Sequence, residues 1–132
     1  MNYGFVKVAA AVPHVQVADC FYNIQQMEGL MRQASDKGVQ IIAFPEMSVT
    51  AYTCLDLFAQ QALLKNAEQA LLKLVSDTAD LNILTIAGAP LVTENRLINA
   101  AVAFQSGKIL GVVPKTYIPN YKEFQEQRWF TS

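Results

Sequence analysis

Histidine occurs once and cysteine twice in these 132 residues, and charged side chains make up only 16%. Each scarcity removes a class of function. The single histidine, His14, follows Pro13 without a serine or aspartate partner in a recognisable setting, which leaves a triad hydrolase unsupported. With one histidine and no CxxC or HExxH spacing, no metal site is expected. GxGxxG and GxxxxGK[ST] are absent, so the segment carries no nucleotide fingerprint. Ten basic against eleven acidic residues give a net charge of −1, and neither nucleic acid nor an anionic membrane is an expected partner. No run approaches the roughly 20 apolar residues of a membrane helix. Met1 to Lys7 lack the basic-then-apolar order of a signal peptide, and a cytoplasmic location is expected. Cys20 and Cys54 then read as reduced thiols rather than a disulfide.

What is present is apolar: 52% of the residues. For a chain of single-domain length this implies a sheet buried on both faces, or a surface covered by more protein. Val6 to Val12 form a short apolar run ended by Pro13, which predicts a buried strand. Asp19 caps a predicted helix through about Lys37. Phe21, Ile24, Met27, Leu30, Met31 and Ala34 recur at helical spacing, and Gly38 stops it. Gln40 to Phe44 is a second strand, closed by Pro45. Strand, helix, strand at these lengths is a βαβ unit with parallel neighbours. Residues 47–56 read as a loop, and Leu57 to about Asp80 as a second helix with Leu63, Leu64, Ala67, Ala70, Leu71, Leu74 and Val75 on one face. Asn82 to Pro90, Arg96 to Gln105 and Lys108 to Val113 follow as strands, the last two joined by the hairpin dipeptide Ser106-Gly107. The fold class is α/β: a mixed sheet with packed helices in the order βαβαβββ. Glu123 to Ser132 carry no stop signal and leave Trp129 and Phe130 without an evident burial partner, so an interruption of the domain is expected there.

Two residues stand where chemistry collects in open α/β sheets, beyond the carboxyl ends of strands. Glu46 follows the second strand and Lys115 the fifth. Alone, Glu46 reads equally as a loop or capping carboxylate, and Lys115 as a solvated surface charge. Converging, they form a base and an oxyanion-stabilising cation, each biasing the other's protonation. Such a site wants a thiolate. Cys54 has neither a helix N-terminus nor a basic neighbour to lower its pKa, and a structural role is the better reading.

Phe44-Pro45-Glu46-Met47 with Tyr52, followed by Pro114-Lys115-Thr116-Tyr117-Ile118-Pro119-Asn120-Tyr121, resembles the nitrilase superfamily of carbon–nitrogen hydrolases. Lys-Thr-Tyr-Ile-Pro-Asn-Tyr-Lys-Glu-Phe and Gln-Arg-Trp-Phe are most similar to the amino-terminal glutaminase domain of glutamine-dependent NAD synthetases. The resemblance implies an α-β-β-α sandwich and a glutamate–lysine–cysteine site. It implies Glu46 as general base and Lys115 as oxyanion stabiliser. Glu126, or alternatively Glu123, corresponds to a second glutamate that orients the lysine and the substrate amide. Tyr52, Tyr121 and Phe124 correspond to positions around bound glutamine. Neither Cys20 nor Cys54 matches the family's cysteine, which is expected beyond Ser132. Residues 1–132 are thus expected to be the N-terminal portion of one such domain, truncated before its nucleophile and inactive alone.

The implied function of the complete protein is glutamine hydrolysis that passes ammonia to a C-terminal, ATP- and Mg-dependent synthetase domain amidating nicotinic acid adenine dinucleotide. A homo-oligomer is expected. So is self-association of the isolated chain, since half a sandwich leaves a sheet face and an edge uncovered. Alternatives are a free-standing amidase or carbamoylase on another small amide, and a non-catalytic sandwich or oligomerisation module.

Overall fold

The computed structural model describes residues 3–132. Strand β1 (Val8–Ala10), helix α1 (Cys20–Asp36) and strand β2 (Ile41–Ala43) form the βαβ unit, with β1 and β2 parallel. The Asp19 side chain caps α1 by accepting from the Tyr22 amide at 3.1 Å. At the other end Gly38 takes φ +74°, and the Gly38 and Val39 amides donate back to the Ser35 and Ala34 carbonyls. That Schellman closure needs a residue free of the left-handed penalty, which is why the helix stops at this glycine.

β1 is shorter than the run from Val6 to Val12 suggests. It has one strand neighbour, its register ends at Ala10 opposite Ala43, and Val6 and Val12 are exposed. The second helix also begins later than expected. Tyr52–Ala59 wind as a 3-10 segment, broken at Leu55 by φ 52°, and Gln60 is extended, so α2 runs Gln61–Asp77. Leu63, Ala67, Ala70, Leu71 and Leu74 of α2 are buried, as the helical spacing requires.

β3 (Leu84–Thr93), β4 (Arg96–Gln105) and β5 (Lys108–Pro114) complete a single mixed sheet in the order β1-β2-β3-β4-β5, with β1 to β3 parallel and β3 to β5 antiparallel. Both hairpins turn on two residues of positive φ, Glu94-Asn95 and Ser106-Gly107, the geometry that matches strand twist. Register divides the sheet into two faces. Ile42, Thr85, Ala87, Ala89, Ala100, Val102 and Phe104 share one face and are buried in the core with α1 and α2. Ala10, Ala43, Ile86, Gly88, Ala101 and Val113 share the other, where Ala101 and Val113 are exposed. β5 is exposed along its whole length.

The stretch after β5 is tied down rather than loose. Phe130 is buried at 4% exposure with its ring 5.0 Å from Phe58, and Trp129 lies 6.0 Å from the same ring. The Thr131 amide donates to the Leu97 carbonyl at 2.9 Å. Burial of a ring the size of Phe130 is worth about 1.5–3 kcal/mol. The sequence offered no partner for Trp129 and Phe130 because Phe58 falls in the segment read as helix.

Candidate active site

β2 ends at Ala43, and the chain turns through Pro45, Glu46 and Met47 beside Gly88 of the parallel neighbour β3. The turn lies directly on the strand. A methyl group at Gly88 would meet the Pro45 carbonyl oxygen at 2.8 Å and collide with the Met47 amide nitrogen. Ser48 Oγ accepts from the Gly88 amide at 3.1 Å, and the Gly88 carbonyl accepts from the Val49 amide at 3.0 Å. Only glycine lets two backbones approach so closely within a sheet. Met47 takes φ 54°, a left-handed conformation seldom found outside glycine and asparagine, and it directly follows Glu46.

Lys115 follows the last residue of β5, and its amide donates to the Asn99 carbonyl of β4 at 2.8 Å. Its ammonium bridges two carboxylates. Lys115 Nζ lies 2.7 Å from Glu46 Oε1, 3.1 Å from Glu126 Oε1 and 3.0 Å from Glu126 Oε2. Tyr52 donates its hydroxyl to Glu126 Oε1 at 2.6 Å, and the Asn99 side-chain amide donates to Glu46 Oε1. Four of the sequence-selected residues, Glu46, Lys115, Glu126 and Tyr52, therefore meet in one hydrogen-bonded cluster.

Of the two candidate second glutamates, Glu126 is the one that reaches the lysine, and Glu123 is exposed. Tyr121 and Phe124 pack edge-to-face on each other at 5.7 Å, with Tyr121 largely exposed. They share the loop that carries Glu126, and no hydrogen bond links them to the cluster.

Burial grades across the site. The Glu126 side chain is 3% exposed, Lys115 30% and Glu46 41%. Burial by itself would lower the Lys115 pKa, but its bonds to Glu46 and Glu126 outweigh it and hold the ammonium above the usual lysine value. Lys115 is thus a permanent cation at neutral pH, a donor and not a base. Burial first, then the bond to Glu126, pushes the Tyr52 phenol upward, so it too remains a donor.

Glu126 is positioned by its loop's anchorage. Its amide donates to the Pro119 carbonyl at 3.2 Å, and its carbonyl accepts from the Trp129 and Phe130 amides. Asp56 Oδ1 accepts from Arg128 Nε at 2.6 Å and from Trp129 Nε1 at 3.0 Å, tying this loop to the 3-10 segment that carries Tyr52. Asn99, Gly88 and Asp56 were not singled out from sequence. Gly88 had a readable signal, an isolated glycine inside a strand. Asn99 and Asp56 had none.

Cys54 is buried, its thiol donating to the Thr50 carbonyl at 3.2 Å, and burial raises its pKa; Cys20 is pushed up to about 11. Neither is poised as a thiolate. An open cavity of about 330 Å³ lies over Glu46, Gly88, Asn99 and Lys115. A larger groove of about 730 Å³ between α2 and β3 to β5 is mainly apolar, with Lys65 and Glu68 on its α2 side, and holds none of Glu46, Lys115 and Glu126. Among the described residues no helix is long and apolar enough to cross a membrane, and no group of histidine, cysteine, aspartate and glutamate is placed to hold a metal.

A protonated lysine between two carboxylates, beyond the ends of strands, can pair a proton acceptor with stabilisation of a developing oxyanion. Known proteins are similar to this chain in sequence and fold. A glutamine-dependent NAD(+) synthetase of Mycobacterium tuberculosis is 40% identical over 127 residues, 96% of this chain and 19% of that protein. The crystal structure of a glutamine-dependent NAD(+) synthetase from Cytophaga hutchinsonii superposes with TM-score 0.89 at 23% identity, covering 96% of this chain and 22% of that one; this likeness speaks for the fold. The structure of the Acinetobacter baumannii glutamine-dependent NAD+ synthetase in complex with ADP gives TM-score 0.80 at 32% identity, over 96% of this chain and 24% of that one. The chain spans about a fifth of the length of the curated relatives it matches. Over residues 7–131 it matches the family model for carbon-nitrogen hydrolases, and with that match over nearly its whole length the chain belongs to the carbon-nitrogen hydrolase family.

Proposed function

We propose that residues 1–132 are the N-terminal portion of a glutaminase domain that supplies ammonia to an ATP-dependent NAD synthetase. The observation that carries this reading is the Lys115 ammonium held between Glu46 and Glu126. The similarity to glutamine-dependent NAD synthetases supports the substrate.

In this reading a cysteine outside residues 1–132 is the nucleophile. Its thiolate attacks the side-chain carboxamide carbon of glutamine, and the carbonyl electrons move onto oxygen. Glu46 takes the thiol proton and returns it to the departing nitrogen. Lys115 stabilises the oxyanion, as a preorganised cation in a partly buried site can. The C–N bond breaks, ammonia leaves and a thioester remains. Glu46 then activates water, which cleaves the thioester to glutamate and regenerates the thiol.

Glu126 holds Lys115 in place, and Tyr52, Tyr121 and Phe124 wall the glutamine pocket. Ammonia passes to a C-terminal synthetase domain in the same chain, which amidates nicotinic acid adenine dinucleotide. ATP and Mg²⁺ are assigned to that domain and to no residue of 1–132; the ADP complex of the Acinetobacter baumannii relative supports the nucleotide. A cytoplasmic homo-oligomer completes the proposal, consistent with the exposed apolar residues of β5.

The test is ammonia release by the full-length protein from glutamine, asparagine and simple aliphatic amides. The reading requires kcat/KM for glutamine to exceed the others at least about 100-fold, a floor below the roughly 10⁴-fold discrimination of a site built to hydrogen-bond its substrate. Comparable rates on simple amides would contradict the glutaminase reading and favour an amidase acting on another small amide.

A further inference from the structure

The Glu46 carboxylate is used asymmetrically. Oε1 accepts from both Lys115 Nζ and the Asn99 side-chain amide, whereas Oε2 has no hydrogen-bond partner among the described residues. A carboxylate oxygen has two lone pairs, so Oε1 is fully committed. The oxygen free to take a proton is Oε2.

The two donors differ in stiffness. Lys115 reaches Glu46 from the end of a long side chain that is 30% exposed. Asn99 is short, 4% exposed and fixed inside a ten-residue strand, paired in register with Pro90 of β3. The same residue accepts the Lys115 amide on its carbonyl at 2.8 Å. Asn99 thus holds the main chain of one member of the pair and the side chain of the other. Glu46 itself sits on a turn with a side chain 41% exposed, and among the described residues Asn99 and Lys115 are its carboxylate's hydrogen-bond partners.

We propose that Asn99 is a positioning residue for Glu46, committing Oε1 together with Lys115 so that Oε2 is presented for proton transfer. The proposal rests on the reading of Glu46 as the base. Asn99 lines the same cavity as Glu46, and the role assigned to it is carried by its side-chain hydrogen bond to that carboxylate, not by contact with substrate.

The experiment introduces Asn99→Ala and Asn99→Leu into the full-length protein, each in the wild-type and the Glu46→Gln background, and measures kcat and KM for glutamine hydrolysis. Asn99→Leu keeps the branching and heavy-atom count of the side chain while removing the donor, and Asn99→Ala removes the donor without adding bulk. In the wild-type background kcat falls about 10- to 100-fold with KM within about twofold, as expected when a general base loses its orientation. In the Glu46→Gln background, where no base remains to be positioned, neither substitution lowers kcat further. The same fractional loss in both backgrounds, a raised KM with kcat intact, or failure of both variants to fold would each overturn the proposal. Full activity of Glu46→Gln alone would instead overturn the reading of Glu46 as base, which keeps the two failures distinct.

Discussion

Replacing Lys115 with methionine removes the ammonium and keeps most of the side chain's length. Two ion pairs disappear, at 2.7 Å to Glu46 and 3.0 Å to Glu126. They are not equal. Glu46 is 41% exposed and can be rehydrated, so its pair contributes about 0–1 kcal/mol. Glu126 is 3% exposed, and without Lys115 its carboxylate keeps, among the described residues, only the Tyr52 hydroxyl. An under-partnered buried charge costs about 3–5 kcal/mol in a dry interior. Since Lys115 itself is 30% exposed, water reaches the vacated space, and about 2–3 kcal/mol is the appropriate total. For a domain of 150–250 residues each kcal/mol moves Tm by about 2–4 °C, which predicts a fall of about 4–12 °C. Scanning calorimetry of the full-length protein measures it. The decisive companion is Lys115→Met with Glu126→Gln, which removes the stranded charge and is expected to recover at least half of the lost Tm. A double variant less stable than Lys115→Met alone would refute the argument that unpaired burial of Glu126 is what costs stability.

Three further outcomes follow from the same geometry. Tyr52→Phe deletes the 2.6 Å bond to Glu126 and should cost about 1–2 kcal/mol of stability by calorimetry, because the lost acceptor is a buried charge; a raised KM for glutamine without any stability loss would make Tyr52 a pocket wall only. Gly88→Ala forces a methyl group against the backbone of Pro45 and Met47, which cannot swing aside as a side chain would; steady-state kinetics should show glutamine hydrolysis down about 100-fold, since a shift of about 1 Å in Glu46 suffices. The pKa of Lys115 is raised in the folded state, so its stabilisation is complete below about pH 10 and fades as pH rises through the folded value; the Tm difference between wild type and Lys115→Met should therefore shrink above that pH, and a difference that grew with alkalinity would contradict the sign.

Much of the architecture was legible because its signals are local. Periodicity, an aspartate cap and a glycine stop marked α1, and β4 matches the predicted Arg96 to Gln105 at both ends. The start of α2 was not legible. Leu57 and Phe58 continue an apolar helical pattern, and only the positive φ at Leu55 and the extended Gln60 break it. Tertiary packing of Phe58 against Phe130 overrides local propensity there.

At the site, Glu46 and Lys115 could be read from their places beyond strand ends, and Tyr52 and Glu126 from motif resemblance. The choice between Glu123 and Glu126 could not be made from spacing. It depends on how the loop is pinned by Asp56, Arg128 and Trp129, contacts that span about seventy residues of chain. Asn99 was hidden for a simpler reason. An asparagine inside an apolar strand carries no mark of the carboxylate it will meet.

The most direct test of the central claim compares glutamine-driven with ammonia-driven NAD synthesis in full-length Glu46→Gln and Lys115→Met. The account predicts that glutamine-driven synthesis falls at least about 100-fold in both, the scale of losing one oxyanion donor or a base, while ammonia-driven synthesis stays within about twofold of wild type. Glutamine-driven synthesis unchanged in either variant would mean that the Glu46–Lys115–Glu126 cluster is a structural ion-pair network and not the machinery of amide hydrolysis.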